Sequence, residues 1–381
     1  MQFSFNSTES DLKCAQHVSQ IIFRDQARSP TDDAVYHLAQ LVLDHAKVTT
    51  SGSVKNFKLP PNFQAKLASY LAPNSEITSV WRALDTATQQ PLSTNHRQWR
   101  ETRQVNCASV GVRGAWFFST WESNLVVKGQ ENALYQVIGS VFLSLVGINA
   151  PDIRIIPCDS AEGSEIAEVA SQHQHNIQQR QPDAFIAMEC VYGRSFEDLC
   201  GVGDLNIVKA ELKSLGKLLF YDLLLGNFDR FELNSTGING GNFLFSEHAN
   251  NKSRLVTIDT DCVPNSELEN KDQYEFTRLA LKKIAQGKSE GYCQKTVSKI
   301  FSHFNTEPIE PAVEVFQEGL NEAMHEILSI TTEMLVSQLN RAVEKRMVSC
   351  ENRADLYQEL TEVTSSLAER IEWLRNMCTQ R

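Results

Sequence analysis

Several common signatures are missing from this 381-residue chain, and each absence excludes something. No two cysteines are spaced C-x-x-C. The nine cysteines, at 14, 107, 158, 190, 200, 262, 293, 350 and 378, are odd in number and irregular in spacing, which argues against a disulfide framework or a zinc site. There is no G-x-S-x-G elbow and no H-E-x-x-H helix, so two common hydrolase chemistries have no foothold. Long apolar runs are also missing. The longest, VIGSVFLSLVGI, falls short of the roughly 20 residues that span a bilayer, so no transmembrane segment is expected. The opening MQFSFNSTESDLK has neither a basic region nor an apolar one, so a standard secretory leader is not expected. Positive charge is in deficit: 36 Lys and Arg stand against 47 Asp and Glu, a net −11. That deficit argues against nucleic acid as a partner, because phosphate backbones need a basic face.

The hydrophobic pattern divides the chain. Residues 1–103 read as a helical extension, with apolar residues at helical spacing (Val18, Ile21, Ile22) and a stop and restart at Ser29-Pro30-Thr31. The period changes near residue 104. VNCASVGVRGAWFFST predicts two strands around a turn bearing Gly111 and Gly114. NLVVK predicts a third strand ending in Lys128, and Glu131–Val146 a helix whose apolar stripe runs Leu134, Val137, Ile138, Val141, Phe142, Leu145. IRIIP and AFIAMECV are two more strands, and the polar segment 159–183 between them predicts a surface loop. FEDLCG is a short helix, and a long one is predicted over Leu205–Leu225, closing at Gly226. FLF (243–245) and LVTID (255–259) are short strands, and from about Glu269 the chain is helical.

The chemistry concentrates in YDLLLGNFDRFELNSTGINGGNFLFSEHANNKSRLVTIDTD. Asp229 follows a helix and a Gly-Asn turn, Asn242 precedes one apolar strand, and Asp259 closes the next. An amide and a carboxylate on neighbouring strands offer hard oxygens to Mg²⁺, which keeps several waters and needs few protein ligands. Asp229 can orient an attacking hydroxyl or accept its proton. Upstream, Lys128 can hold phosphates, and Gly111 and Gly114 allow the backbone to approach them closely. Strand, glycine turn, strand with lysine, helix, strands, helix, loop aspartate and strand aspartate follow one another in the order of a kinase. The fold class expected is α+β: a bilobal protein-kinase-like fold, with a helical extension over 1–103, a small lobe over 104–190, and a mostly helical large lobe with C-terminal helices over 191–381.

DRF…GGNFLF…LVTIDTD, with VVK and MECVYGRSFEDL upstream, resembles the actin-fragmin kinase catalytic domain group, atypical kinases related to phosphoinositide and HipA-type kinases. The resemblance covers roughly residues 105–305. It implies ATP as cofactor with Mg²⁺, or Mn²⁺ as the alternative. It implies that Lys128 pairs with the ATP phosphates and that Glu131 is the ion-pair partner of Lys128. Met188–Val191, with Glu189 and Val191, becomes the hinge against adenine. Asp229 becomes the catalytic base, Arg230 supports its loop, and Asn242 and Asp259 hold the metal. The family spacing would select Asn234 in place of Asn242, and Asp261 rivals Asp259. Asn242 is preferred because it directly precedes a strand, and Asp259 because it is expected to continue one. A protein Ser or Thr is the expected acceptor, a phosphoinositide or small molecule the alternative, and a binding-only pseudokinase the second alternative. Partner docking through the N- or C-terminal helices is a further expectation. The setting expected is cytoplasmic, or the interior of a host cell reached by a non-classical route.

Overall fold

The strands begin where the sequence period changes from helical to alternating. The structure, a computed structural model, describes residues 94, 96–107, 115–119, 124–173, 183–191, 193–231, 238–246, 254–268, 273–308, 310–347 and 354–379. The helical extension expected over 1–103 therefore lies almost wholly outside the described residues, as do Gly111, Gly114 and Asn234. The chain divides into two units. Apart from Ser119 and Asn124, the described residues belong to the second, Ser93–Phe118 with Leu125–Arg381.

Five strands build the first sheet: β1 (Gln104–Cys107), β2 (Ala115–Ser119), β3 (Asn124–Gln130), β4 (Ile153–Pro157) and β5 (Ala184–Glu189). Their spatial order is β1-β2-β3-β5-β4. β5 runs antiparallel to both of its neighbours, with Lys128 opposite Ile186 and Ile153 opposite Met188. Between β3 and β4 the chain forms helix α1 (Ala133–Leu145). Every residue of α1 from Ala133 to Leu143 is buried, because the sheet covers one face and C-terminal helices cover another. Gly147, at φ 81°, ends the helix as its sequence predicts.

The segment expected to be a surface loop, 159–183, instead contains helix α2 (Ala161–Gln172). Ser160 caps it, accepting from Gly163 N at 3.0 Å, and Ile166, Val169 and Ala170 form a narrow buried stripe. Ahead of β1, Trp99 is fully buried and donates to Glu162 of α2 at 2.9 Å. Arg154 of β4 reaches the same carboxylate at 2.6 and 2.9 Å, tying Trp99 and α2 to the sheet.

A second sheet orders β6 (Arg194–Ser195), β7 (Phe243–Phe245) and β8 (Leu255–Thr257), with helices α3 (Phe196–Val202), α4 (Leu205–Ala210) and α5 (Leu212–Leu225) between β6 and β7. The single long helix expected over 205–225 is thus two, broken at Glu211. That carboxylate accepts from Arg254 N at 2.7 Å, a tertiary contact that fixes the break. The described residues of the C-terminal part form α6 (Asn265–Leu268), α7 (Gln273–Ala285), α8 (Glu290–Ser302), α9 (Glu310–Ser329), α10 (Thr332–Glu344) and α11 (Ala354–Thr379).

Glycines let these layers touch backbone to backbone. A Cβ on Gly216 of α5 would fall 2.0 Å from Phe316 O, and one on Gly319 of α9 would fall 1.9 Å from Lys213 O. Residues after α10 cover the edge strand of the first sheet: Ile155 N donates to Arg346 O at 3.1 Å, and the Arg346 guanidinium holds Asp152 at 2.7 Å.

Candidate active site

Five chain segments bring their polar side chains together. The first is β3, whose β-branched run buries Leu125, Val126 and Val127 and delivers Lys128 at the edge of the packed region. Lys128 Nζ bonds both carboxylate oxygens of Asp259. The second segment is the stretch after β8. β8 ends at Thr257, so Asp259 does not continue the strand as expected. It sits two residues beyond, at φ 54°. Left-handed backbone is uncommon for a non-glycine residue, and it turns this carboxylate back toward β3.

The third segment is the loop after α5. Gly226, at φ 74°, ends that helix, and Asn227 donates to Asp222 at 2.9 Å. Asp229 is exposed, whereas its neighbour Arg230 is fully buried. Arg230 bonds the buried Asp222 carboxylate, Ile258 O at 2.8 Å and Thr260 Oγ1 at 2.7 Å. It therefore grips the residues on either side of Asp259. Burial pushes the Asp222 carboxyl above its usual range, and Arg230 and Asn227 pull it back.

The fourth segment is the 3₁₀ turn Gly240–Asn242 leading into β7. Asn242 Nδ2 donates to Asp229 Oδ2 at 2.8 Å, and Asn239 Nδ2 donates to the same oxygen at 2.9 Å. Because β7 pairs with β8, Asn242 lies across from Ile258, whose N–H bonds its carbonyl at 3.3 Å. Asn242 is thereby bonded to the residue that precedes Asp259 in the chain.

α1 completes the set. Gly139 allows the helix to lie directly on the 259–262 backbone, since a Cβ there would fall 2.2 Å from Thr260 O. Cys262 N donates to Tyr135 O at 3.0 Å. In this position Gln136 Nε2 donates to Asp259 Oδ1 at 2.7 Å. Lys128 is thus ion-paired with Asp259 and not with Glu131, which lies exposed in the turn before α1. Its backbone precedes the first helical turn, whereas Gln136 is on the helix face that meets Asp259.

In the stretch expected to be the hinge, Met188 is buried and Glu189 is bound to Asp152 twice: Glu189 N donates to Asp152 O at 2.9 Å, and its carboxylate accepts from Asp152 N at 3.2 Å. Val191 is half-buried. A cavity of about 460 Å³ lined by Asn149, Glu211, Lys213, Lys217 and Glu322 contains none of the expected site residues.

Among the described residues no group of three His, Cys, Asp or Glu side chains has metal-binding geometry. The donor set suits a hard cation that keeps its waters. The Asn242 amide nitrogen is taken by Asp229, leaving its carbonyl oxygen as the available donor, and the Asp259 carboxylate is 30% exposed. Sequence reasoning missed Gln136, Asp222 and Asn239. The signal for the first two was a polar residue inside an apolar helical run, ALYQVIG and FYDLLLG.

A mixed α/β domain with a lysine on its third strand, and an Asp-Arg loop facing an aspartate after a later strand, is of the kinase-like phosphotransferase class. The catalytic-domain model of actin-fragmin kinase matches residues 76–348, and the chain belongs to that family. A search of curated proteins returned no significant match.

Proposed function

We propose that the protein is an atypical serine/threonine protein kinase with two lobes, which binds ATP and a divalent cation beside Lys128, Asn242 and Asp259. One observation carries the reading: four separate segments bring Lys128 onto Asp259 and Asn242 onto Asp229, and the backbone bond from Ile258 N to Asn242 O sets the two pairs side by side. Lys128 would hold the nucleotide phosphates. Asn242 and Asp259 would hold Mg²⁺, which when bound neutralises charge on the transferred group. Asp229 would orient the acceptor hydroxyl and take its proton as the new O–P bond forms and the bond to ADP breaks. Asn239 and Asn242 fix the carboxylate for that task, and buried Arg230 fixes the loop.

A lipid-headgroup acceptor is the second reading. Lys282, Lys283, Lys288 and Lys295 are all exposed on α7, α8 and the turn between them, a basic surface of the kind that meets anionic membranes. No helix among the described residues is long and apolar enough to cross a membrane.

The test is transfer of label from γ-labelled ATP with Mg²⁺ to the protein itself, a cell lysate and a lipid extract, with wild type and Asp259→Ala. Label in the protein fractions that disappears with Asp259→Ala is the expected result. Label confined to lipid moves the reading to a lipid kinase. No label in any fraction from a folded protein moves it to a pseudokinase.

A further inference from the structure

We propose that Gln136 is a positioning residue that receives the Lys128 ammonium when the Asp259 carboxylate turns to a cation. The inference rests on the reading of Lys128 and Asp259 given above. In the free protein these two residues neutralise each other. A metal ion brought to the Asp259 carboxylate competes for its lone pairs and repels the ammonium already bound there, so ligand binding drives the two apart. Lys128 is only 14% exposed where it stands, so an ammonium parted from Asp259 needs new acceptors.

Gln136 is placed to supply one. It is 3% exposed, and its Nε2 shares Asp259 Oδ1 with Lys128 Nζ, so the amide and the ammonium are neighbours around one oxygen. Its carbonyl oxygen, Oε1, is buried and accepts no hydrogen bond. A buried acceptor without a partner is costly and uncommon, and is explained here by a donor that arrives in another state. The amide suits both states: in the free protein its N–H steadies Asp259, and in the loaded protein its oxygen takes Lys128. A carboxylate at this position would face Asp259 with like charge in the free protein. The backbone around it favours a fixed post over a moving part. Gly139 lays α1 on Thr260, Tyr135 O is bonded by Cys262 N, and Tyr135 Oη donates to Glu267 at 2.6 Å.

The experiment compares wild type, Gln136→Leu and Gln136→Glu by two readouts that do not require turnover: melting temperature without ligand, and calorimetric affinity for a non-hydrolysable ATP analogue with Mg²⁺. Gln136→Leu fills the same space without polar atoms. It is expected to melt close to wild type yet bind the analogue about tenfold or more weakly, the loss of one hydrogen bond to a charged group. Gln136→Glu is expected to melt lower, from like charge beside Asp259, yet to bind within about threefold of wild type because it still accepts from Lys128. The two variants thus move stability and affinity in opposite order, which a purely structural role would not do. Equal analogue affinity for wild type and Gln136→Leu overturns the proposal, as does affinity that merely follows melting temperature. Absence of binding by folded wild type overturns the reading of the site on which it rests, a distinct failure.

Discussion

Two ion pairs meet at residues 258–260: Lys128 holds Asp259 itself, and Arg230, paired with Asp222, holds the residues on either side of it. Arg230 and Asp222 are 0% and 2% exposed, whereas Lys128 and Asp259 are 14% and 30% exposed. Arg230 makes further bonds to Ile258 O and Thr260 Oγ1, and Asp222 also accepts from Asn227. The second pair has one additional partner, Gln136, and holds its aspartate in left-handed backbone. The difference separates frame from working part. A charge pair shut away from water cannot be opened without unfolding its surroundings. A half-exposed pair with one strained partner can be opened by a ligand.

Breaking the buried pair should give the largest effect. Arg230→Ala leaves Asp222 without its counter-charge, and a loss of about 3–5 kcal/mol is expected, the cost of uncompensating a buried charge. Denaturant unfolding measures it; a loss under 1 kcal/mol would put the two pairs in the same category.

Asp259→Gly sharpens the contrast from the other side. Glycine adopts φ 54° without penalty, so relief of about 1 kcal/mol of strain is set against the lost ion pair. Stability is expected to stay within about 1 kcal/mol of wild type while phosphotransfer falls at least about 100-fold. The smallest effect belongs to the exposed clasp between α5 and α9, where Glu322 bridges Lys213 and Lys217. Hydrogen bonds from those lysines hold the Glu322 pKa below its ordinary 4.5. A depressed folded pKa stabilises above that value and is lost as pH falls through the lower folded value. Glu322→Gln should therefore cost less than about 1 kcal/mol at pH 7 and converge with wild type in acid.

How far the sequence discloses this arrangement follows the range of each interaction. Local signals carried β3 with Lys128, the stripe of α1, and the stops at Gly147 and Gly226, because β-branching, helical spacing and left-handed glycines act within a few residues. Helix α2 was obscured because its buried stripe, Ile166, Val169 and Ala170, is narrow in a polar segment. The break at Glu211 depends on Arg254, 43 residues away. The sequence predicts strand at Asp259 because nothing in IDTD marks the residue that turns left-handed; it is held by Lys128 and Gln136, 131 and 123 residues away, and by Arg230 on the residues either side. Gln136 stayed hidden for the same reason, while Glu131 drew attention as the nearest acidic residue after Lys128.

The most direct measurement is the change in melting temperature on adding ATP and Mg²⁺ to wild type and to Asp259→Gly. The account expects wild type to rise with nucleotide concentration and Asp259→Gly, starting from a similar temperature, to stay in place. An equal rise in both proteins, or none in wild type, would contradict the assignment of the Lys128–Asp259 pair as the part of the fold that meets nucleotide.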